Sequence, residues 1–351
     1  MPLPIKVFPE KCLKSIHRAS ACELCRDVCP TEAINFSATS LRFDPLKCTQ
    51  CAACVAVCPT DVFDTEDLSD EMLMNLIEEK RENLREIIFS CQQIQNPASN
   101  AIVITCLARL DRSLLLSCCI TAYTFSLQLV HGDCDTCTFP CIKILLADTL
   151  AYVQRVLDAF ESNVCVSLVN LKDTSIKKHE TIDGMTRQGH LKRRLFLNLF
   201  GKKASNNQTP IVVSKIPKVL LENREADHWF KKNNRLVSAL KLLQQEFLLR
   251  DASAKIGKKP IIDREKCKEC SICTKVCPTG ALHMDAEEYF QIACSPQLCI
   301  ECYLCADVCF SKAIFFVSKT IDDITNNRPM ILLNQEKSTP TKKPYVKVFR
   351  T

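Results

Sequence analysis

Between residues 67 and 171 the apolar positions follow first a helical and then an extended period. Ser69 can cap a helix whose first turn carries Asp70 and Glu71, with Met72, Leu73, Leu76 and Ile77 as its buried stripe. Three short apolar runs then read as strands: Ile87 to Ser90, Ile102 to Thr105 and Phe125 to Val130. A long helix follows, with Ile142, Leu145, Leu146, Val153, Val156, Leu157 and Phe160 at its apolar positions, and a fourth strand runs from Val164 to Val169. Strands alternating with helices predict a small parallel α/β domain over 67–171. The uncharged run from Ser113 to Val130 contains six Ser, Thr and Gln residues, so it reads as helix plus strand rather than a membrane span.

Beyond residue 171 the pattern turns cationic. From Lys172 to Pro260 there are 20 Lys and Arg against 8 Asp and Glu, a balance of +12 in a chain whose total is +6, which leaves −6 for the rest. His190 to Phe200 (HLKRRLFLNLF) is amphipathic and stops at Gly201, ahead of a polar linker from Lys202 to Pro210. A second helix is expected from about Asn234 to Arg250, with Leu236, Leu240, Leu243 and Phe247 at helical spacing. Residues 172–260 therefore read as a basic helical connector. It can fold back over the acidic ends, dock on an acidic protein partner, or make peripheral contact with an anionic membrane surface. Nucleic acid is not expected as a partner, because no base-reading motif or aromatic series accompanies the charge. Met1 to Glu10 has no apolar signal-peptide core, and the expectation is a soluble, cytoplasmic protein.

Composition narrows the chemistry. A chain of 351 residues has room for two or three domains, yet it contains only 6 glycines. Neither G-x-G-x-x-G nor G-x-x-x-x-G-K-[ST] occurs, so no organic small-molecule cofactor of the dinucleotide or nucleotide kind is expected. The six histidines (His17, His131, His179, His190, His228 and His283) are scattered singly, and no acid–base or nucleophilic site can be argued from them.

The 25 cysteines are organised. Cys48, Cys51, Cys54 and Cys58-Pro59 form C-x2-C-x2-C-x3-C-P, and Cys267, Cys270, Cys273 and Cys277-Pro278 repeat it. Cys299, Cys302, Cys305 and Cys309 do so again with Phe310 in place of proline. A fourth copy is stretched: Cys12 stands apart from Cys22, Cys25 and Cys29-Pro30 by seven residues more than in the other copies. The four copies are two copies of one pair, offset by 248 residues at Cys22/Cys270 and by 251 at Cys48/Cys299. The segments that follow also match: Thr31-Glu32-Ala33-Ile34, Thr60-Asp61-Val62-Phe63, Thr279-Gly280-Ala281-Leu282 and Ser311-Lys312-Ala313-Ile314. One module has been duplicated.

Three thiolates on one short loop can reach three irons of a cubane, and the fourth iron takes the cysteine that precedes the proline in the partner run. The expected sets are therefore crossed: Cys12, Cys22, Cys25 with Cys58; Cys48, Cys51, Cys54 with Cys29; Cys267, Cys270, Cys273 with Cys309; and Cys299, Cys302, Cys305 with Cys277. At these residues the chain resembles bacterial-type ferredoxins with two [4Fe-4S] clusters, over roughly 5–65 and 260–320. The resemblance implies α+β dicluster modules at both ends, as in polyferredoxins, and four [4Fe-4S] clusters in all. Zinc-binding modules are the competing reading, but zinc sites usually pair C-x2-C units across a longer gap. The stretched copy makes Cys12 the ligand most in need of a check. The expected organisation is a ferredoxin module at 1–66, an α/β domain at 67–171, the connector at 172–260, a second module at 261–320 and a tail at 321–351.

In the α/β domain Cys91, Cys106 and Cys134 sit at or just past the carboxyl ends of predicted strands, with Cys137 and Cys141 close behind. Ligands bind at that edge of open α/β sheets. Cys91, Cys106, Cys134 and Cys137 can thus converge on a fifth metal centre; they can equally form a redox dithiol at Cys134–Cys137 or simply pack. Cys118, Cys119 and Cys165 lie in apolar stretches and are expected to pack. Phe89-x-Cys91, Cys106-x-x-Arg109 and Gly132-Asp133-Cys134 faintly resemble the small iron–sulfur adaptor subunit linking hydrogenases to heterodisulfide reductase. The expected function is electron transfer, as a polyferredoxin-like carrier or the electron-wiring subunit of an oxidoreductase, with redox proteins as partners. The alternatives are a reductase with a special cluster or dithiol in the α/β domain and an iron- or oxygen-responsive regulator.

Overall fold

A computed structural model describes residues 5–37, 40–65, 69–81, 86–122, 126–134, 137, 142–170, 230–284, 290–326 and 328–335. The expected helix at 190–200 and the linker after it lie outside these residues, as does Cys141.

The amino-terminal module opens with strand β1 (Ile5–Val7) and short helices α1 (Leu13–Ile16) and α2 (Leu24–Asp27). It continues through the hairpin β2 (Ile34–Ser37) and β3 (Ser40–Phe43), helix α3 (Ala53–Val57) and strand β4 (Phe63–Thr65). β1 pairs antiparallel with β4, so the two ends of the module close on each other, and β2 pairs antiparallel with β3 between them. Helices α2 and α3 are short because each is a single turn carrying the third cysteine of its run, Cys25 or Cys54, and ends before the fourth.

The middle domain runs α4 (Asp70–Arg81), β5 (Glu86–Cys91), β6 (Ile102–Ile104), α5 (Arg112–Ala122), β7 (Ser126–His131), α6 (Ile142–Ala159) and β8 (Cys165–Asn170). Ser69 caps α4 by accepting the Met72 amide at 3.2 Å. The four strands form a wholly parallel sheet in the order β6-β5-β7-β8. Its strand order reverses between β5 and β7, which puts a crevice at their carboxyl ends. Phe89, Ile104, Leu127 and Leu129 from the sheet meet Leu73, Ile77, Leu115, Val153 and Leu157 from the helices in one core. Cys118 and Cys119 are fully buried in α5, with the Cys118 sulfur 3.8 Å from that of Met74. Cys165 is exposed instead, because β8 is an edge strand.

The second half of the presumed connector belongs elsewhere. Helix α7 (Lys231–Glu246) packs along α5 and buries Ala239, Leu240, Leu242 and Leu243 in the middle domain. Strand β9 (Lys255–Ile262) is the first strand of the carboxyl-terminal module. That module continues with α8 (Ile272–Val276), β10 (Leu282–Met284), β11 (Phe290–Cys294), α9 (Leu304–Asp307) and β12 (Ile314–Thr320). β9 pairs with β12 and β10 with β11, both antiparallel, which reproduces the amino-terminal pairing scheme. Helix α10 (Ile321–Thr325) joins the middle-domain core through Ile321 and Ile324, and β13 (Met330–Gln335) pairs with β11. Structurally this unit therefore begins before residue 261 and extends past residue 320. Among the described residues no helix is long and apolar enough to cross a membrane.

The first turn of α7 touches all three units. Lys232 pairs with Asp61 at 2.9 Å and donates to the Val55 carbonyl at 2.6 Å, both in the amino-terminal module. The Asn233 amide donates to the Gln297 carbonyl at 3.0 Å in the carboxyl-terminal one. Arg235 enters the middle domain, where its guanidinium meets Asp70, Asp111 at 3.0 Å and the Ser113 hydroxyl at 2.9 Å. Arg109 reaches the other oxygen of Asp70 at 2.7 Å. Burial alone would raise the Asp70 carboxyl, but the Arg235 and Arg109 charges outweigh it and hold the group well below its usual range. Asp111 in turn caps α5 by accepting the Ser113 and Leu114 amides at 2.8 and 3.1 Å.

Removing one partner of a buried ion pair leaves an uncompensated charge, so Arg235→Ala is expected to cost about 3–5 kcal/mol. The denaturant midpoint of anaerobic protein measures it, with Arg235→Lys intermediate because one ammonium cannot span both carboxylates. Asp70 has a lowered folded pKa, so its contribution is full above the unfolded carboxylate value of about 3.9 and fades as pH falls through the folded value. In Arg235→Ala that loss begins at higher pH.

Candidate metal centres

The cysteine loops share an unusual backbone. Gln50 and Ala52, Glu269 and Ser271, and Glu301 and Tyr303 all adopt positive φ, between 52° and 62°. These are the same two positions of the C-x2-C-x2-C run in three copies. A further left-handed residue stands three places after the last cysteine of every copy: Glu32, Asp61, Gly280 and Lys312, with φ of 51–68°. Only one of the four is glycine. Left-handed backbone at ordinary residues costs of order 1–2 kcal/mol each and recurs where structure serves a site. Here it curls each loop around a cavity.

There are four such cavities among the described residues, each lined by four cysteines. Cys12, Cys22, Cys25 and Cys58 line one of about 310 Å³. Cys29, Cys48, Cys51 and Cys54 line one of about 320 Å³. In the other module Cys277, Cys299, Cys302 and Cys305 share about 330 Å³, and Cys267, Cys270, Cys273 and Cys309 about 350 Å³. In every case the cysteine before the Pro or Phe has left its own run and joined the partner's three. Cys12 is buried at the start of α1 and faces the same cavity as Cys22, seven-residue stretch notwithstanding.

In each set some thiols are raised by burial and further by neighbouring sulfurs, among them Cys25, Cys54, Cys273, Cys302 and Cys305. At Cys309 burial is outweighed by hydrogen bonds from Ser311 and nearby amides, and the thiol is lowered. Burial pushes Cys273 up to about 12, with Cys267, Cys270 and Cys309 adding to it. Burial likewise lifts Cys302 to about 12, helped by Cys277 and Cys299. Four such thiols cannot ionise together in one apolar pocket unless cations sit among them. No three His, Cys, Asp or Glu residues among those described lie close enough to hold a single metal ion. The cysteines surround a space, which suits a polynuclear cluster better than a zinc ion needing four donors within about 2.3 Å.

Hydroxyl and amide groups complete the cradle. The hydroxyls of Thr31, Thr60, Thr279 and Ser311 lie 3.9, 3.7, 3.6 and 3.6 Å from the sulfurs of Cys29, Cys58, Cys277 and Cys309. The amides of Val62, Leu282 and Ala313 donate to Cys58, Cys277 and Cys309 at 3.4, 3.5 and 3.3 Å. Sequence reading noted these segments only as repeats. Their signal was a Thr or Ser always two residues after the last cysteine.

In the middle domain Cys91 ends β5, Cys106 follows β6, and Cys134 follows β7, all at the carboxyl edge of the sheet. Burial raises the Cys106 thiol to about 12, and the neighbouring sulfurs acting on it are Cys51, Cys91 and Cys134. Cys137 packs against a small buried cluster of Cys51, Ala53, Cys106 and Ala108. The group thus abuts the Cys48 cavity of the amino-terminal module. His131, one of the scattered histidines, is buried there, with Nδ1 3.4 Å from the Cys134 sulfur.

The family described as the 4Fe-4S dicluster domain matches residues 8–62 and again 266–313. A protein from Hydrogenibacillus schlegelii named ferredoxin 7Fe is 34% identical over 58 residues, which is 16% of this chain and 74% of that protein. No solved structure matches the chain. Two dicluster domains imply four [4Fe-4S] clusters, and the four all-cysteine cavities fit that number and that donor chemistry.

Donors to sulfur favour the more negative, reduced state of an iron–sulfur site. Thr60→Val, which keeps shape and removes the hydroxyl, should lower the reduction potential of one site by about 60 mV, the one-electron equivalent of a tenfold change. An EPR-monitored titration reads it; an unchanged potential would mean the hydroxyl does not act on the sulfur.

Proposed function

We propose that this chain, which belongs to the dicluster [4Fe-4S] ferredoxins, relays single electrons between redox proteins, as a polyferredoxin-like carrier or as the wiring subunit of an oxidoreductase. The observation that carries this reading is the lining of each cavity by one crossed set of four cysteines. The ligands would be Cys12, Cys22, Cys25 and Cys58; Cys48, Cys51, Cys54 and Cys29; Cys267, Cys270, Cys273 and Cys309; and Cys299, Cys302, Cys305 and Cys277. When bound, a [4Fe-4S] cluster supplies a one-electron couple whose potential depends on hydrogen bonds and solvent exposure. The chain contributes thiolate donors, apolar walls such as Ile5, Ile34 and Phe43 that exclude water, and the hydroxyl and amide donors described above.

A second reading attaches to the middle domain, where Cys106 is buried beside Cys51, and Cys91 and Cys134 lie at the ends of neighbouring strands on the same sheet edge. These residues with Cys137 would form a fifth iron–sulfur centre or a dithiol, and the protein would then act as a reductase fed through the amino-terminal module. Supporting it is the position of the group at the sheet's carboxyl edge.

Single cysteine-to-serine variants separate these readings under anaerobic EPR. Crossed ligation predicts that Cys29→Ser perturbs the same signal as Cys51→Ser, whereas a match with Cys25→Ser would overturn the ligand sets. Cys106→Ser leaves all four of those signals intact; loss of an additional, distinct signal in that variant would establish the fifth centre.

A further inference from the structure

The stretch between Cys12 and Cys22, seven residues longer than its duplicate, is the largest length difference between the two cysteine frameworks; the Cys29–Cys48 stretch differs by three. It folds as α1 and a compact turn: the His17 carbonyl accepts the Ser20 amide at 3.0 Å, and the His17 ring accepts the Ala19 amide at 3.1 Å. Ser20 is buried, and its hydroxyl accepts the Cys22 amide at 3.3 Å. Glu23, just after Cys22, has φ −138°, whereas the equivalent Ala52, Ser271 and Tyr303 are left-handed. Freed from the tight curl of the other loops, the chain sends the Ala21 amide out of its own module. It donates to Oδ2 of Asp307, at 2.9 Å, on helix α9 of the other module.

Asp307 follows directly on Cys305 and Ala306, so this bond fixes one cysteine loop against another. We propose that the insertion is a joint: its Ala21–Asp307 contact docks the Cys22 site on the Cys302 site and makes this the crossing point for electrons between the two ferredoxin modules. The inference rests on the electron-transfer reading above. At the crossing one electron leaves one site and arrives at the other; no bond breaks and no proton moves, so the exchange balances by itself. Within the amino-terminal module Cys25 and Cys54 share one buried cluster, and in the other module Cys273 packs against the cluster that holds Cys305. With the Ala21–Asp307 bond between the modules, these neighbours make one line from the Cys267 site to the Cys48 site, where Cys51 clusters with Cys106. The line begins at a solvent-facing loop, because Cys270 is exposed, and ends against a buried group. The duplicate position argues the same way: Ala56, the counterpart of Asp307, has no acceptor side chain, and Asp27, at the same place in the Cys22 loop, pairs with its neighbour Arg26 and is 62% exposed.

The test compares Asp307→Ala, Ala21→Pro, Asp307→Asn and the control Asp27→Ala in the full-length, anaerobically purified protein. Iron content is checked first, then magnetic interaction between the modules in the fully reduced protein by EPR, and hydrogen exchange of the Ala21 amide. Asp307→Ala and Ala21→Pro should keep their iron and lose the inter-module interaction. In Asp307→Ala the Ala21 amide should exchange about tenfold faster or more, as loss of a bond to a charged acceptor implies. Asp307→Asn, which retains an acceptor oxygen, and Asp27→Ala should behave like the parent. Unchanged interaction and exchange in Asp307→Ala would overturn the joint. Absence of clusters from the parent would instead sink the electron-transfer reading, while amide exchange would still report on the docking.

Discussion

The arrangement depends on the first turn of helix α7, a five-residue segment from Lys231 to Arg235 that places polar side chains in all three units. Lys232 holds the amino-terminal module through Asp61 and Val55, Asn233 holds the carboxyl-terminal module through Gln297, and Arg235 closes a buried network with Asp70, Asp111 and Arg109. Burial would discharge Lys232, but the charge and hydrogen bond of Asp61, together with Cys58 and Asp111, more than offset it and the pKa is raised. Two arginines against two aspartates leave the middle network near neutral, which is the condition under which buried charge is tolerated. The apolar side of the same helix then adds Leu240 and Leu243 to the middle-domain core. Position in this protein is set by a few ionic contacts and secured by ordinary packing.

Within each module the determining constraint is different. Four cysteines have to face one small space, and the backbone meets that demand with left-handed residues at repeated positions, nearly all of them not glycine. The scarcity of glycine in the chain therefore has a structural counterpart: the loops carry local strain and depend on what they enclose for compensation. Iron-free chain should accordingly be the least stable form, since binding energy at such sites is also folding energy.

Much of this was legible from spacing. Short gaps between cysteines leave little freedom, so C-x2-C-x2-C-x3-C specified which sulfurs could share a cavity, and the sheet strands of the middle domain followed from apolar runs whose ends shifted by only a residue or two. Helix α7 was harder. Lys231, Lys232 and Arg235 looked like a solvated cationic face, because the aspartates that neutralise them lie 124 to 171 residues earlier in the chain. Strand β9 was hidden for a similar reason: Lys258 and Lys259 interrupt its apolar alternation, and only pairing with β12 reveals it. The hydroxyls of Thr31, Thr60, Thr279 and Ser311 stood in plain view as a repeat, but their chemistry needed the distance to sulfur. Cys165 was misjudged because neighbouring apolar residues do not tell a central strand from an edge strand.

The central claim is that four all-cysteine cavities each hold one cubane. Iron and acid-labile sulfide per chain, determined on anaerobically purified protein, test it most directly. About 16 of each is the predicted result, or a few more if the middle-domain group also binds. About 8 iron, or zinc in place of iron without sulfide, would contradict the account.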